Sequence, residues 1–344
     1  MSDTPGIPQI EIGALFGPPG ARRDAVDRAI MDAAMRYGFM TVHGLPEDVK
    51  LDAVTLRDLL RLFALPESDQ RKLWRQKFDP HQRNVYRGWF PKQAGSVTFK
   101  EGIDMGPDCA YGEVAVDPGD PLREATPLPD EAVLPGWRAC ASGYYRGMER
   151  TARVLMRAIA RGLGLEEEIF DAAFVGGIST LRLLHYPPRT PAELAMIEDP
   201  GLWTIHAGRK FCVSGRAHVD TGFVTLLAQD GVAGLQARAR DGSWIDVPPR
   251  EGSLAVNFGH VLERWTGGRI KATEHRVIGT GATRHSVPFF YEPRVDAEIA
   301  PLDLPGSENF TPFLYGDHLW ATMTKFVEFH GMEDLRQPRR RAVA

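Results

Sequence analysis

The second half of the chain most limits what it can fold into. After Gly176 the sequence breaks into short β-prone runs, STLRLLHY, TIHAGRKFCV, FVTLLAQ, GLQARAR, SWIDV, SLAVNF, HRVIGT and RHSVPFFYE, separated by Gly, Pro or Asp. Asp241 and Gly242, between two of these runs, form a hairpin signal because both tolerate the backbone of a tight turn. Short strands at such close intervals predict a sandwich or jelly roll rather than alternating strand and helix units.

The first half reads differently. Residues 22–37 carry Val26, Ile30, Ala33 and Tyr37 at three-to-four spacing, which predicts an amphipathic helix that Gly38 stops. A short strand over FMTVHG follows, then helical patterns over about 48–64 and 66–76. From Gly106 to Pro135 six prolines exclude long regular elements, as expected of a loop that runs over a surface and serves as a lid. Tyr144, Met148, Thr151, Leu155, Ile159 and Leu163 predict a long helix from Trp137 to Leu163, and a final helix is expected over about 311–329. The expected division is a helical region over 1–135 with its lid-like loop, a supporting helix over 136–176, a β core over 177–300, and a C-terminal helix with a basic tail over 301–344.

With 344 residues, 43% hydrophobic and 25% charged, the composition is that of a globular protein with a sizeable core. A formal net charge of -4 gives no reason to expect nucleic acid or an anionic membrane as partner. Arg336, Arg339, Arg340 and Arg341 form the one basic cluster and read as a frayed, solvated terminus. Cys109, Cys140 and Cys212 stand far apart, so neither a disulfide framework nor a zinc knuckle is expected. The N-terminus lacks the pattern of a signal peptide, and no apolar run approaches a membrane span, so a cytoplasmic location is expected.

The chemistry concentrates in the β region. His218 and Asp220 stand two apart at the head of an apolar run, a separation that on one strand places both side chains on one face. His275 follows 55 residues after Asp220, and a third ligand from another strand completes a set of two imidazoles and one carboxylate. Three such donors on one side of a metal leave the opposite positions open, the arrangement used by non-haem Fe(II) oxygenases. Zinc accepts the same donors, although the sequence offers no H-E-x-x-H or comparable Glu as the base a zinc hydrolase needs. Arg284 and Ser286 again share a face, and a guanidinium fork beside a hydroxyl suits a carboxylate.

H-x-D, a His some fifty residues on, and R-x-S nine residues later resemble the isopenicillin N synthase-like branch of the Fe(II)/2-oxoglutarate-dependent dioxygenases. The likeness extends to IPQIEIGAL with YGFMTVHGLP near the N-terminus, to LRLLHYPP, to GLQARARDGSWIDVPPREGSLAVNFG and to LERWTGGRIKATEHRV. It implies a double-stranded β-helix, a jelly-roll barrel with iron in its open end. It further implies that His218, Asp220 and His275 bind Fe(II), and that Arg284 and Ser286, assisted by Tyr186, hold the far carboxylate of 2-oxoglutarate. Leu184 stands where plant members commonly have Asn, and His260 where many have Asp.

The activity the resemblance implies is oxidation of a small molecule by O2 (hydroxylation, desaturation or cyclisation) with release of succinate and CO2. Some members with the same R-x-S use no 2-oxoglutarate, so an iron oxidase of the isopenicillin N synthase type stays open, as does a non-catalytic jelly-roll binding protein. Tyr86, Arg87 and Trp89, in the segment that contributes to the pocket in this branch, are candidate substrate contacts. His285 neighbours Arg284 and is expected on the opposite face, and Phe289 and Tyr291 are expected to pack against the helical layer. His260 reads as a loop residue.

Overall fold

The computed structural model describes residues 6–92, 99–307, 309–326 and 329–339. Its strands are β1 (Gln9–Glu11), β2 (Phe39–His43), β3 (Gly88–Phe90), β4 (Glu101–Met105), β5 (Thr180–Tyr186), β6 (Trp203–His206) and β7 (Arg209–His218), followed by β8 (Val224–Gln229), β9 (Leu235–Arg238), β10 (Trp244–Asp246), β11 (Ser253–Phe258), β12 (His275–Gly279) and β13 (Arg284–Tyr291). A larger sheet has the order β1-β2-β11-β8-β13-β5-β4-β3, and a smaller one the order β10-β9-β12-β7-β6. Within these sheets, pairing is antiparallel except between β1 and β2.

Side-chain alternation gives each sheet two faces. Phe39, Phe90, Leu184, Tyr186 and Ala255 of the larger sheet meet Leu235, Ala237 and Val277 of the smaller one in a single apolar cluster. The sheets thus close around one interior as a double-stranded β-helix. Within the larger sheet the inward residues form layers that cross the strands. Phe39, Asn257, Thr225, Phe290 and Thr180 are successive cross-strand partners, while Arg182, two residues on from Thr180, pairs with Asp104. These layers set what faces the barrel cavity.

The opposite face of the larger sheet packs on helices. Phe289 meets Tyr145 edge-on at 4.9 Å between ring centroids, and Tyr291 stacks on Phe174 at 4.2 Å. Tyr145 belongs to the long helix, Trp137–Gly162, which buries Tyr144, Met148, Leu155, Met156 and Ile159. Each such side chain contributes about 1.5–3 kcal/mol when fully buried. Gly164, at φ 74°, ends it, with Leu165 N–H bonded to Ala160 O at 2.9 Å.

Several elements depart from the sequence pattern for local reasons. The helix expected over 48–64 starts only at Ala53, where the Asp52 carboxylate accepts the Val54 and Thr55 N–H groups at 2.9 Å each, and it tightens into a 3-10 turn over Arg61–Ala64. The run TIHAGRKFCV is two strands, not one, because Ala207 and Gly208 both take positive φ (46° and 72°) and turn the chain back. The final helix is shorter than expected, Tyr315–Met323. Among the described residues no helix is long and apolar enough to cross a membrane, and the three cysteines are free thiols.

The basic tail is not frayed where it is described; Arg340 and Arg341 lie outside the described residues. Arg336 is buried, with Nε on Asp120 Oδ1 at 2.9 Å and Nη1 on Asp317 Oδ1 at 2.7 Å, and Arg339 adds a second contact to Asp120. Asp120 lies in the Pro-rich segment, so the tail latches that segment to the last helix. Carboxylates of the fold supply the counter-charge that a solvated tail would take from water. Arg336→Met, which strands buried Asp120 with Arg339 alone, is expected to cost about 3 kcal/mol of stability. Urea unfolding measures it, and a loss below about 0.5 kcal/mol, the scale of an exposed pair, would show that the latch contributes little.

Candidate metal centre

His218 is the last residue of β7 and His275 the first of β12, and the two are cross-strand partners. Their rings lie 4.4 Å apart between centroids at 55°. Each Nδ1 faces a backbone carbonyl, that of Arg216 at 2.8 Å for His218 and that of Thr273 at 3.2 Å for His275. A carbonyl only accepts, so each Nδ1 carries the hydrogen and each Nε2 keeps its lone pair for a metal. Burial and the neighbouring His218 lower the His275 pKa to about 4, which keeps that imidazole neutral near pH 7.

Asp220 reaches the site by a different route from the one its spacing implies. β7 ends at His218, so Asp220 lies in the following loop and its direction is not set by strand alternation. Instead the loop is pinned by the start of the helix His260–Trp265. His260 N–H bonds Asp220 O at 2.8 Å, and Val261 N–H bonds Thr221 O and Gly222 O at 3.1 Å each. Gly259 makes this approach possible, since a Cβ there would lie 2.5 Å from Gly222 O. The His260 imidazole points outward, with its side chain 61% exposed.

The two carboxylate oxygens of Asp220 have different surroundings. Oδ2 accepts from Thr225 Oγ1 at 2.5 Å and Asn257 Nδ2 at 2.7 Å. Oδ1 faces His218 Nε2 at 3.6 Å and His275 Nε2 at 3.8 Å. The three ligand atoms lie within 4.8 Å of one another, the one such cluster of His, Cys, Asp or Glu among the described residues. Burial opposes the Asp220 charge, but the two imidazoles and the Thr225 hydroxyl outweigh it and hold the carboxyl far below its usual range. Two neutral nitrogens and one anionic oxygen converging from one side fit Fe(II).

Arg284 and Ser286 lie on the inward face of β13, opposite Tyr186 and Leu184 of β5. Arg284 stacks on the Tyr186 ring at 5.2 Å and donates Nη2 to Gln229 Oε1 at 3.2 Å. Its Nε and Nη1, and Ser286 Oγ, are buried without a hydrogen-bond partner among the described residues. Nor does Arg284 form an ion pair there. Unpaired buried donors converging on one spot suit an anion.

The other candidates are placed elsewhere. Arg87 is enclosed: its guanidinium is wholly buried, 4.8 Å from the centroid of the Tyr86 ring, donating to Thr180 Oγ1 at 2.6 Å and Ile178 O at 2.7 Å. Tyr86 packs on Phe329, and Trp89 packs on Phe63 on the helix side of the sheet. All three side chains are buried. His285 bonds Asp230 and stacks on His185, also on the helix side. Thr225 and Asn257 are functional positions that motif spacing missed; their signal is inward alternation on β8 and β11, legible only once those strands are in register.

Thr225→Val and Asn257→Leu each release Asp220 Oδ2 and should weaken metal binding about 10–100-fold, the usual effect of losing such a support. Competition with a fluorescent chelator for Mn(II) checks this. An unchanged dissociation constant would show that Asp220 needs no such hold.

A family model for the 2OG-Fe(II) oxygenase superfamily matches residues 178–293. The chain is 30% identical over 334 residues to isopenicillin N synthase of Streptomyces clavuligerus, covering 94% of this chain and 97% of that one. It is 28% identical over 293 residues to a 2-oxoglutarate-Fe(II) type oxidoreductase of Aspergillus fumigatus, covering 83% and 81%. A full-length Neurospora crassa protein solved in complex with alpha-KG superposes with a TM-score of 0.77 at 23% identity, over 93% of this chain and 96% of that one. A 2OG-Fe(II) oxygenase family protein from Caulobacter crescentus gives 0.70 at 25% identity, over 93% and 98%. Likeness along nearly the whole length, on this fold and around this triad, has one reading: the chain belongs to the 2OG-Fe(II) oxygenase superfamily.

Proposed function

We propose that His218, Asp220 and His275 hold Fe(II), that Arg284 and Ser286 anchor the far carboxylate of 2-oxoglutarate with Tyr186 beneath the guanidinium, and that residues 177–300 are the catalytic core of a small-molecule oxygenase. The observation that carries this reading is the pairing of three metal donors with a separate set of buried, unsatisfied N–H and O–H groups inside one barrel. When bound, iron and the keto acid supply the oxidising chemistry, using O2 to give succinate, CO2 and a hydroxylated, desaturated or cyclised product.

The protein's own contribution is positional. Asp220 and His275 are nearly enclosed, with side chains 11% and 9% exposed, whereas His218 is 46% exposed and marks the open side. Arg284 lies on β13 beyond the layer that holds Phe290 and Thr225, so an acid reaching from the triad to Arg284 runs along the barrel interior. Apolar Leu184, Leu227 and Ala255 line that path and keep water from it. We place the protein in the cytoplasm, in keeping with its three free cysteines.

The likeness to isopenicillin N synthase favours a second reading, an iron oxidase that draws all its electrons from its substrate and binds another anion at Arg284. Anaerobic titration of the Fe(II) protein with 2-oxoglutarate separates the two: a weak visible charge-transfer band is expected, and its absence would favour the oxidase. Asp220→Ala should abolish succinate release with the fold intact; release at the normal rate would remove the ligand assignment. Arg284→Leu should raise the apparent KM for 2-oxoglutarate about 10–100-fold, the scale of a lost charge-assisted contact, and an unchanged KM would remove the clamp.

A further inference from the structure

Arg284 differs from other buried arginines of this protein in what faces it. Arg75 is paired with Asp104, and Arg336 with Asp120 and Asp317. Arg284 is 3% exposed, yet the acceptor that its Nη2 meets is a neutral amide, Gln229 Oε1 at 3.2 Å. Burial pulls the Arg284 pKa below its ordinary value, and the nearby Tyr186 and Asp230 offset this only in part. The guanidinium is thus a buried charge that no adjoining carboxylate neutralises.

Strand alternation decides which side chain stands opposite it. Gln229 and Asp230 are consecutive at the end of β8, so their side chains leave on opposite faces of the sheet. Asp230 turns to the helix side, where Oδ2 accepts the His285 N–H at 2.5 Å and lies 3.0 Å from His285 Nδ1, and Oδ1 accepts the Val232 N–H at 3.1 Å. Gln229, the cross-strand partner of Ser286, turns inward. The strand therefore places a carboxylate on its outer face and the uncharged counterpart of a glutamate on its inner face, against the clamp.

The amide is itself held. Gln229 Nε2 donates to Val247 O at 3.2 Å. A carbonyl only accepts, so the NH2 end of the amide faces Val247 and the Oε1 end faces Arg284. Val247 follows β10, and its own N–H bonds Leu235 O of β9 at 2.9 Å. One side chain of the larger sheet is thus anchored on the backbone of the smaller one and fixes a guanidinium between them. Nη2 is engaged in this way, while Nε and Nη1 of Arg284 and Oγ of Ser286 stay buried without partners among the described residues. A carboxylate at position 229 would neutralise Arg284 and compete with any anion for it.

Resting on the co-substrate reading above, we propose that Gln229 is a positioning residue of the anion clamp. Its uncharged Oε1 fixes the rotation of the Arg284 guanidinium and leaves the positive charge uncompensated. The clamp therefore prefers a keto acid with a second carboxylate to one with a neutral tail.

The test uses the full-length protein loaded with Mn(II). Calorimetry compares 2-oxoglutarate with 2-oxopentanoate, which has the same keto-acid head and an uncharged tail. The unaltered protein is expected to bind 2-oxoglutarate about 100-fold more tightly, the scale of a charge-assisted contact. Gln229→Glu, equal in size, should weaken 2-oxoglutarate about 100-fold and bring the two keto acids level, because the new carboxylate neutralises Arg284 and repels that of the ligand. It should leave 2-oxopentanoate within about threefold, since that ligand does not use the clamp. Gln229→Met keeps the site's charge and loses only the hydrogen bond, so 2-oxoglutarate should weaken about three- to ten-fold. A residue needed only for packing would weaken both keto acids alike and would tolerate Glu no worse than Met. A preference that survives in Gln229→Glu, equal weakening of both ligands in that variant, or unchanged 2-oxoglutarate binding in Gln229→Met would each overturn the proposal while the clamp itself stands. An unaltered protein that shows no preference for 2-oxoglutarate would overturn the clamp and this proposal together.

Discussion

Two hydrogen bonds, from Thr225 and Asn257 to one oxygen of Asp220, join the halves of this molecule at its chemical centre. Both imidazoles of the triad come from the smaller sheet, as partners across β7 and β12. The carboxylate is held by the larger one, through β8 and β11. A metal bound by all three therefore spans the two sheets, and the site exists only when the barrel is closed. Its geometry depends on sheet closure more than on the H-x-D spacing, which merely starts a loop whose course Gly259 and the following helix decide.

Such dependence explains what could be read from the chain beforehand. The strand runs after Gly176 and the long helix rest on local periodicity, and they survive in the fold except that TIHAGRKFCV divides into two strands. Arg336 and Arg87 were opaque for one shared reason: an arginine's burial depends on carboxylates or carbonyls far along the chain. Asp120 is 216 residues from Arg336, and Ile178 is 91 residues from Arg87. Nothing in RQPRRR or NVYRGW distinguishes a guanidinium in water from one inside the protein. Strands β3 and β4 were opaque for another reason, since β3 has only three residues and its side chains are buried on both faces, leaving no alternation to detect.

The interior has a polar economy that composition hides. An apolar cluster fills much of the space between the sheets, yet three arginines, at positions 75, 182 and 284, lie on or against its inward face. Burying even one is costly unless acceptors satisfy it. Arg182 and Arg75 converge on Asp104, whereas Arg284 meets, among the described residues, an amide and a phenol ring. The difference is one of counter-charge: a buried carboxylate fixes the Arg75 and Arg182 guanidinium groups, whereas Arg284 is positioned by a neutral amide and a ring.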